Sequence, residues 1–325
     1  MYDLPGSSMR ELVELARRFA VAPDALLDGL PVTRAALDDP ATRVPLRVAE
    51  ALVARAHELT REPALAFHYG TAMRLSSHGF LGFAAMTAAT VREALELAVQ
   101  FAATRTSAIG LELYVEGDKA SVVIVERTPL GGLREFAVLA LIVGIWTIGQ
   151  ALTGTIPDGL GECAFAEPAY LRGLPHGGRL VFDRPAHRMV FAASLLDRPL
   201  VSADAAAMRL ARDQLERELA AVIEAAGLAG RIRAAIAADA AASLAAISRA
   251  LHMSPRTLKR RLAERGTTFS ALRDGVRLQR ALLLLEDRDL AIGEIATRLG
   301  YSELPSFTRA FRKWTGVTPL AYRER

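Results

Sequence analysis

Two related stretches near the end of the chain decide the fold: residues 247–261 read ISRALHMSPRTLKRR, and residues 294–323 read EIATRLGYSELPSFTRAFRKWTGVTPLAYR. In the first, Ser254 followed by Pro255 is a strong helix start signal, because serine caps a helix and proline fits its first turn. Residues 243–251 have apolar side chains at helical spacing and are separated from this start by a short turn at His252-Met253. These features predict a helix-turn-helix unit at about residues 243–265.

The second stretch repeats this order. Apolar residues from Ala291 onward predict a short helix, Gly300-Tyr301 turns the chain, and Ser302 is expected to cap a helix that runs to about Thr315. The buried side of that helix is expected to hold Phe307, Phe311 and Trp314. A linker helix over residues 269–286 would hold the two units apart, and a separation of about 34 Å, one turn of DNA, suits two helices in successive grooves. The second unit is therefore predicted at about residues 291–315.

The helix after Ser254 has a basic face. Leu258 and Leu262 lie on one side, and Arg256, Lys259 and Arg260 share the opposite side at i, i+3, i+4 spacing. Three cations on one exposed face repel each other unless an anion neutralises them. In a major groove, Arg and Lys pair with guanine edges or with phosphates. For one isolated helix, a solvated charged face would be the better explanation. The duplicated unit, together with the charge and the resemblance described below, favours DNA.

The expected DNA contacts therefore come from both units. They are Arg256, Thr257, Lys259 and Arg260 in the first, and Ser306, Arg309, Arg312 and Lys313 in the second.

Charge is distributed unevenly along the 325 residues, whose net charge is +4. Residues 227–325 hold 18 Lys and Arg against 9 Asp and Glu, a net of +9, and the rest of the chain nets −5. A basic C-terminal part predicts a polyanionic partner for that part, although charge alone also allows a solvated surface without one. Hydrophobic residues make up 51% of the chain, which excludes a disordered or collagen-like protein.

The first half of the chain mixes helical and strand patterns. Amphipathic helices are expected over residues 9–19, 48–59, 64–69 and 91–101, with Ser8 and Thr90 as caps. Alternating apolar residues around a Gly117-Asp118 turn predict a β-hairpin over residues 110–126. A long apolar helix over residues 134–152 and short strands over residues 179–191 follow.

A long helix is predicted over residues 201–226. Gly227 and Gly230 are expected to interrupt this helix, so we place the end of the first half of the chain there. The predicted fold class is an α+β N-terminal sensor domain, residues 1–226, followed by an all-α double helix-turn-helix domain, residues 227–325.

The spacings that catalysis or metal binding requires are missing from the sequence. Cys163 is the only cysteine, so no internal disulfide or cysteine cluster can form, which favours a cytoplasmic protein. No signal peptide is recognisable, and the apolar run 136–149 is shorter than the roughly 20 residues that span a bilayer. The histidines include no i, i+4 pair, and no nucleophile elbow, phosphate loop or dinucleotide fingerprint occurs. We expect no catalytic residues, no metal, no cofactor and no membrane partner.

The residues quoted above resemble the double helix-turn-helix domain of AraC/XylS transcription regulators. The resemblance covers residues 228–325 and includes Arg277 and Ala281 in the linker helix. It implies binding to double-stranded promoter DNA and activation or repression through RNA polymerase. It also places Arg256, Lys259 and Arg260 at base-reading positions of the first unit, with the corresponding positions of the second at Leu304, Pro305 and Ser306. His252 stands where members often have glycine.

The first half resembles the arabinose-binding type of N-terminal domain found in AraC relatives such as regulators of ornithine use. The matching pieces are residues 63–70, 77–82 and 191–200. This resemblance implies a sensor for an unknown small-molecule effector, and His78, in a loop of serine and glycine, is the one candidate effector-binding residue.

A ligand-responsive transcription factor follows as the expected function. Leu304 and Pro305 offer no donors to bases, so the first unit should supply most specificity and the second should mainly hold phosphates. The long helix over residues 201–226 and the family resemblance predict a homodimer. Two other hypotheses stay open at this point: an enzyme that uses its tail for DNA targeting, and a regulator controlled by its abundance alone.

Overall fold

The computed structural model describes residues 3–39, 42–155, 158–172, 179–225, 227–239, 242–264, 267–286 and 290–323. The chain forms two compact units, Met1–Leu219 and Ala220–Arg325. The first contains helices and sheets and the second is helical in its described part, so the predicted fold class is confirmed. The boundary between residues 226 and 227 stays a prediction, and residue 226 lies outside the described residues.

The first unit combines helices with two sheets. Its helices are α1 (Gly6–Arg17), α2 (Pro23–Leu27), α3 (Arg34–Asp38), α4 (Leu46–Thr60), α5 (Leu65–Ala72), α6 (Gly79–Thr87), α7 (Val91–Arg105), α8 (Arg134–Thr153) and the start of α9 (Ala205–Ala225). Its strands are β1 (Asp3–Pro5), β2 (Arg43–Pro45), β3 (Ile109–Glu116), β4 (Lys119–Glu126), β5 (Gly159–Glu162), β6 (Leu180–Val181) and β7 (Arg188–Ala192). Strands β1 and β2 form an antiparallel pair, and the others form a sheet in the order β3-β4-β7-β5-β6, in which only β5 and β6 run parallel.

The predicted β-hairpin, formed by β3 and β4, lies at one edge of the larger sheet. Strand β3 pairs with β4 from Ile109 opposite Glu126 to Glu116 opposite Lys119, and Gly117 turns the chain with φ +56. A positive φ is a conformation that glycine adopts without steric cost, which explains the turn. Strand β4 then pairs with β7, with Val122 opposite Met189. This register presents side chains of β3, β4 and β7 to one cavity.

Helix α8 passes through the main core of the first unit. Among the described residues, one helical segment, Gly131–Thr153, is long and apolar enough to cross a membrane. In its most apolar 18-residue stretch, 44% is buried inside the protein. Packing against α5 and the lining of the cavity described below account for much of its apolar surface. A Cβ at Gly70 would lie 2.6 Å from Cβ of Val143, and one at Gly144 would lie 2.3 Å from Sδ of Met73, so glycine lets the two helices meet.

A second hydrophobic cluster joins α6, α7 and α9. It includes Leu81, Ala84, Ala85, Ala94, Leu97, Phe101, Ala211 and Leu215, all buried. Helix α9 is thus anchored by its first half to α6 and α7, and it carries the chain past Leu219, where the first unit ends.

The second unit consists of helices in its described part. They are α10 (Gly227–Ala238), α11 (Leu244–Ala250), α12 (Pro255–Ala263), α13 (Phe269–Glu286), α14 (Ile292–Arg298), α15 (Leu304–Thr315) and α16 (Pro319–Arg323). Helix α13 is the predicted linker helix. One cluster holds Ile232, Ile236, Ile247, Leu258, Leu262 and Leu272 together, so α10 to α13 share a core.

Two predicted helix starts were wrong, because the helices begin at other residues than the pattern indicated. Helix α1 begins after Pro5 without a side-chain cap, so Ser8 is inside the helix. The helix predicted from residue 201 begins at Ala205, because the carboxylate of Asp204 accepts hydrogen bonds from the backbone of residues 206 and 207. Gly230 lies within α10 and does not interrupt it.

Candidate nucleic-acid interface and ligand cavity

Helix α12 begins at the predicted cap. Oγ of Ser254 accepts a hydrogen bond from the backbone N–H of Thr257 at 3.1 Å, and Pro255 occupies the first turn. Leu258 and Leu262 are fully buried. Because these leucines fix the rotation of α12, its opposite face is turned to solvent.

The exposed face of α12 is cationic. Arg256, Lys259 and Arg260 are all exposed. Nε of Arg260 lies 3.7 Å from Oε1 of Glu264, with the two side chains 71% and 61% exposed, and such surface pairs contribute little. Neither Arg256 nor Lys259 has a carboxylate within 4 Å among the described residues. The face therefore has positive charge available for an anionic partner.

The turns of the two helix-turn-helix units have the same backbone geometry. His252 has φ +53 and Gly300 has φ +75, both in the left-handed region. The N–H of Met253 donates to Ser248 O at 2.9 Å, and the N–H of Tyr301 donates to Ala296 O at 2.9 Å. The unusual His252 thus adopts the conformation that glycine supplies in the second unit, at a steric cost of roughly 1 kcal/mol.

Helix α15 is held by aromatic side chains. Phe307 and Phe311 are fully buried, and their ring centroids are 5.7 Å apart. Tyr301 packs on Phe307 at 5.6 Å, and Tyr322 of α16 packs on Phe311 at 5.6 Å. The predicted cap at Ser302 was wrong, since Glu303 is the residue before the helix and no side chain caps it.

The exposed tip of α15 is apolar and its later turns are basic. Leu304 is 42% exposed and Pro305 is exposed beside it. The exposed cations are Arg309, Arg312 and Lys313, whereas Trp314, predicted to be buried, is only partly so. In α12 the exposed cations start in the first helical turn, whereas in α15 the first exposed cation, Arg309, lies about one turn after Leu304 and Pro305.

Two predicted contact residues use their hydroxyls locally. Oγ1 of Thr257 lies 2.8 Å from Oγ of Ser254, and Oγ of Ser306 accepts from Nη2 of Arg309 at 3.2 Å. Both side chains are partly buried. Their contacts with DNA stay predictions, as do those of the exposed cations.

A cavity of about 210 Å³ lies inside the first unit, between α6, α7 and α8 and the strands β3, β4 and β7. Its wall is mostly apolar and includes Leu81, Leu95, Ala98, Ile109, Leu111, Val122, Ile145, Trp146, Ile148, Met189 and Phe191. Apolar cavities of roughly 150 Å³ hold benzene-sized ligands, so this one is large enough for a small organic molecule.

Two ionisable side chains, His78 and Arg105, line this cavity. Arg105 is the last residue of α7, and its Nη2 donates to Ser77 O at 3.0 Å and to Oγ of Ser7 at 3.3 Å. No carboxylate lies within 4 Å of Arg105 in the part of the chain that the structure describes. Nε2 of His78 is buried and has no hydrogen-bond partner there. Burial and the neighbouring Arg105 lower the pKa of His78 to about 4, so its ring is neutral at pH 7.

Two family descriptions match the chain. "Helix-turn-helix domain" covers residues 247–325, and "Arabinose-binding domain of AraC transcription regulator, N-term" covers residues 21–200, more than half of the chain. The chain belongs to the AraC family of transcription regulators. Double-stranded DNA is therefore a partner of this AraC-family regulator, and its family is one of regulators, which are typically not enzymes.

Similar proteins include a regulator of nearly equal length. The ornithine utilization regulator of Pseudomonas aeruginosa is 32% identical over 326 residues, which cover 99% of this chain and 96% of that protein. The regulator VqsM of the same organism is 34% identical over 151 residues, covering 45% of this chain and 44% of its own. The crystal structure of the transcriptional regulator CdpR from P. aeruginosa aligns over 96% of this chain and 97% of its own, at 25% identity and a TM-score of 0.46.

Arg277 of α13 is a residue whose role in this AraC-family regulator was not predicted from the sequence. Its side chain is buried, its guanidinium lies 4.8 Å from the ring centroid of Tyr301, and its Nη2 donates to Gly300 O at 3.4 Å. It thus joins the linker helix to the second turn. The family resemblance marked this position, but spacing within α13 could not show what it contacts.

Of the two ionisable cavity residues, sequence reasoning singled out only His78. Its role in effector binding stays a prediction. Arg105 was missed because an arginine in the last turn of a helix is ordinary, and its place in the cavity depends on contacts with residues 28 and 98 positions away. Among the described residues, no group of three or more His, Cys, Asp or Glu side chains is arranged to hold a metal ion.

Proposed function

We propose that this AraC-family regulator controls transcription in response to a small molecule that binds in the cavity of its first unit. The observation that supports this most directly is the mostly apolar cavity with Arg105 and His78 among its lining residues. Ligand sites are typically such cavities, apolar with a few polar groups that orient the ligand. The matching arabinose-binding family description supports a sensor role.

The ligand need not be related to ornithine, although one relative is named for ornithine utilization. At neutral pH ornithine carries two cationic amino groups and one carboxylate, so two cationic groups would each need an anionic or acceptor partner. No Asp or Glu lines the cavity in the part of the chain that the structure describes, and Arg105 would repel a cation.

On DNA, we propose that α12 contributes base contacts and α15 mainly phosphate contacts. Three exposed cations, Arg256, Lys259 and Arg260, lie in the N-terminal part of α12. The N-terminal part of a recognition helix is the part that contacts base edges. The equivalent end of α15 presents Leu304 and Pro305, which have no side-chain donors. Arg309, Arg312 and Lys313 would then neutralise phosphates.

We propose that α9 transmits occupancy of the cavity. Leu81, Ala85 and Ala94 line the cavity and also belong to the cluster that holds Ala211 and Leu215 of α9. A ligand that moves α6 or α7 would therefore change the packing of α9, which leads into the second unit. Such coupling requires that the ligand bind two arrangements of α9 with different affinities.

The remaining partners are proposals of the same kind. RNA polymerase would be the target of activation or repression, the protein would act in the cytoplasm, and residues 1–226 and 227–325 would be the two functional domains. A homodimer is supported by α9, on which Leu210 is 70% exposed. Sedimentation as a monomer at high micromolar concentration, with and without DNA, would contradict the homodimer.

Selection of bound fragments from random DNA with the full chain, followed by footprinting, tests the DNA-binding part. Two protected patches one helical turn apart are expected, and one patch would contradict engagement of both units. A thermal-stability screen of the full chain against metabolites tests the sensor part. A ligand present at 100 times its Kd should add about 2.7 kcal/mol to the stability of the unit it binds.

A further inference from the structure

We propose that the cavity of the first unit binds an uncharged, hydrocarbon-like molecule, such as an alkylbenzene, and excludes ions. This assignment rests on the proposed function, because it names the chemical class of the effector. A cavity of roughly 150 Å³ holds benzene, so about 210 Å³ suits a ligand of about seven to nine carbon atoms. The exclusion of ions follows from the polar side chains of the wall, whose charges and hydrogen-bonding groups are not available to a ligand.

The guanidinium of Arg105 is held by other parts of the first unit. Its Nη2 donates to Ser77 O at 3.0 Å and to Oγ of Ser7 at 3.3 Å. Its Nη1 lies 4.0 Å from the position that a Cβ of Gly79 would occupy. The carboxylate of Glu11 also stabilises its charge. A ligand would therefore have to break contacts with the turn at residues 77–79 and with α1 before it could pair with Arg105.

The imidazole of His78 offers an anion neither charge nor access. Its Nε2 is buried, so a molecule in the cavity does not reach it in this arrangement of the protein. Burial and the neighbouring Arg105 lower the pKa of His78 to about 4, so the ring is neutral at pH 7. Neither ionisable residue of the wall thus provides a binding site for a carboxylate.

The lining hydroxyl groups are engaged with the backbone. Oγ1 of Thr153 donates to Gly149 O at 2.7 Å. Oγ1 of Thr106 donates to Asp3 O at 2.9 Å and accepts from the N–H of Ala108 at 3.0 Å. Because each hydroxyl has one proton to donate, neither has a donor left for a ligand.

The rest of the wall favours an apolar molecule. The indole N–H of Trp146 is an uncharged single donor and cannot neutralise an ion. An ion would lose its hydration without gaining a partner, and water would find few partners in such a cavity. A hydrocarbon instead gains by leaving water and by contact with the apolar side chains of α7, α8 and the sheet. These include Leu95, Ala98, Ile145, Ile148, Val122 and Met189.

The test compares three compounds with one phenyl ring: ethylbenzene, phenylacetate and 2-phenylethylamine. The chain has two tryptophans, Trp146 in the cavity wall and Trp314 in the second unit, so Trp314→Phe leaves Trp146 as the only tryptophan reporter. Ethylbenzene should change the emission of Trp146 saturably at pH 7. Both ions should bind at least about 100-fold more weakly, because each would be buried without a partner.

An ion that binds as tightly as ethylbenzene would overturn the assignment, and so would the absence of saturable ethylbenzene binding. If W314F does not fold, calorimetric titration of the unmodified chain gives the same ranking. From benzene to toluene to ethylbenzene, affinity should rise about fourfold for each added carbon, the gain from burying one more CH₂. Equal affinities along this series would contradict burial of the ligand in the cavity.

A variant that fills the cavity locates the ligand. Ala98→Leu adds three carbons to the cavity-lining side of α7, so ethylbenzene affinity should fall at least about tenfold. The matched control is Gln100→Leu on the same helix, because Gln100 is exposed and does not line the cavity. Unchanged affinity in A98L, or an equal loss in Q100L, would overturn the location. If A98L does not fold, the saturable change at Trp146 decides it.

The effect on DNA affinity separates this inference from the proposed function. Ethylbenzene that binds with the expected ranking but leaves DNA affinity unchanged would support the apolar-ligand site and contradict ligand control. Phenylacetate or 2-phenylethylamine that binds the cavity and shifts DNA affinity, where ethylbenzene does neither, would overturn the apolar-ligand site and leave ligand control standing.

Discussion

Replacing one arginine in each recognition helix tests the division of labour between them. In the free protein, Arg260→Ala removes only the 3.7 Å pair with Glu264, whose side chains are 71% and 61% exposed. Such a pair contributes less than about 0.5 kcal/mol, so the variant should fold normally. On the selected operator, loss of a bidentate base contact should cost about 1–3 kcal/mol, or about 5- to 150-fold in affinity.

Arg312→Ala should behave differently, because Arg312 lies on the exposed basic side of α15, beyond its apolar tip. Removing one phosphate contact lowers the slope of log affinity against log salt by about 0.9. Between 50 and 200 mM salt this makes the loss about three- to fourfold larger at the low concentration. The loss should be the same on operator and on scrambled DNA.

Fluorescence anisotropy with both DNAs at several salt concentrations measures these quantities. Arg260→Ala should weaken operator binding much more than scrambled binding and should relax the preference at one base position. Equal losses of R260A on the two DNAs would refute base reading by α12. A relaxed preference at one base in R312A would refute the phosphate role of α15.

Three further outcomes follow from contacts within each unit. Arg277→Lys should lower the melting temperature of the second unit, because lysine cannot both stack on the ring of Tyr301 and donate a hydrogen bond to Gly300 O. An unchanged melting temperature, measured by circular dichroism, would contradict this. Gly82→Ala should destabilise the first unit and abolish ligand binding, since its Cβ would lie 1.8 Å from the carbonyl O of Leu75; normal binding of any cavity ligand would contradict it. The pKa of His78 in the folded protein is about 4, below its ordinary value of 6.5. The unfolded chain therefore binds a proton at this histidine before the folded chain does as the pH falls. About 3 kcal/mol of the free energy of unfolding should be lost between pH 6.5 and pH 4. Denaturant titrations should show a smaller loss in His78→Gln, and an equal loss would contradict the shift.

Local patterns explain why the second unit could be predicted in such detail. The cap at Ser254, the burial of Leu258 and Leu262 and the exposed cations of α12 all depend on residues a few positions apart, and a helix fixes those distances. The errors arose at helix ends, as at Ser302 and at the start of α9, because several neighbouring residues could precede each helix and helical periodicity does not choose among them.

The cavity could not be predicted in the same way. Its wall is drawn from helices and strands spread over residues 73–195, and each of those apolar residues is equally consistent with an ordinary core. Whether apolar faces close on each other or leave a space is set by packing across the whole unit, which no local spacing encodes.

The double helix-turn-helix, its basic face and the family were therefore determined by the sequence alone, because helical periodicity and capping act over one or two turns. Only the tertiary structure decided that Arg105 stands beside Ser77 and His78 in an apolar cavity and that Arg277 holds the turn at Gly300. Those contacts join residues far apart in the chain, and folding alone brings them together.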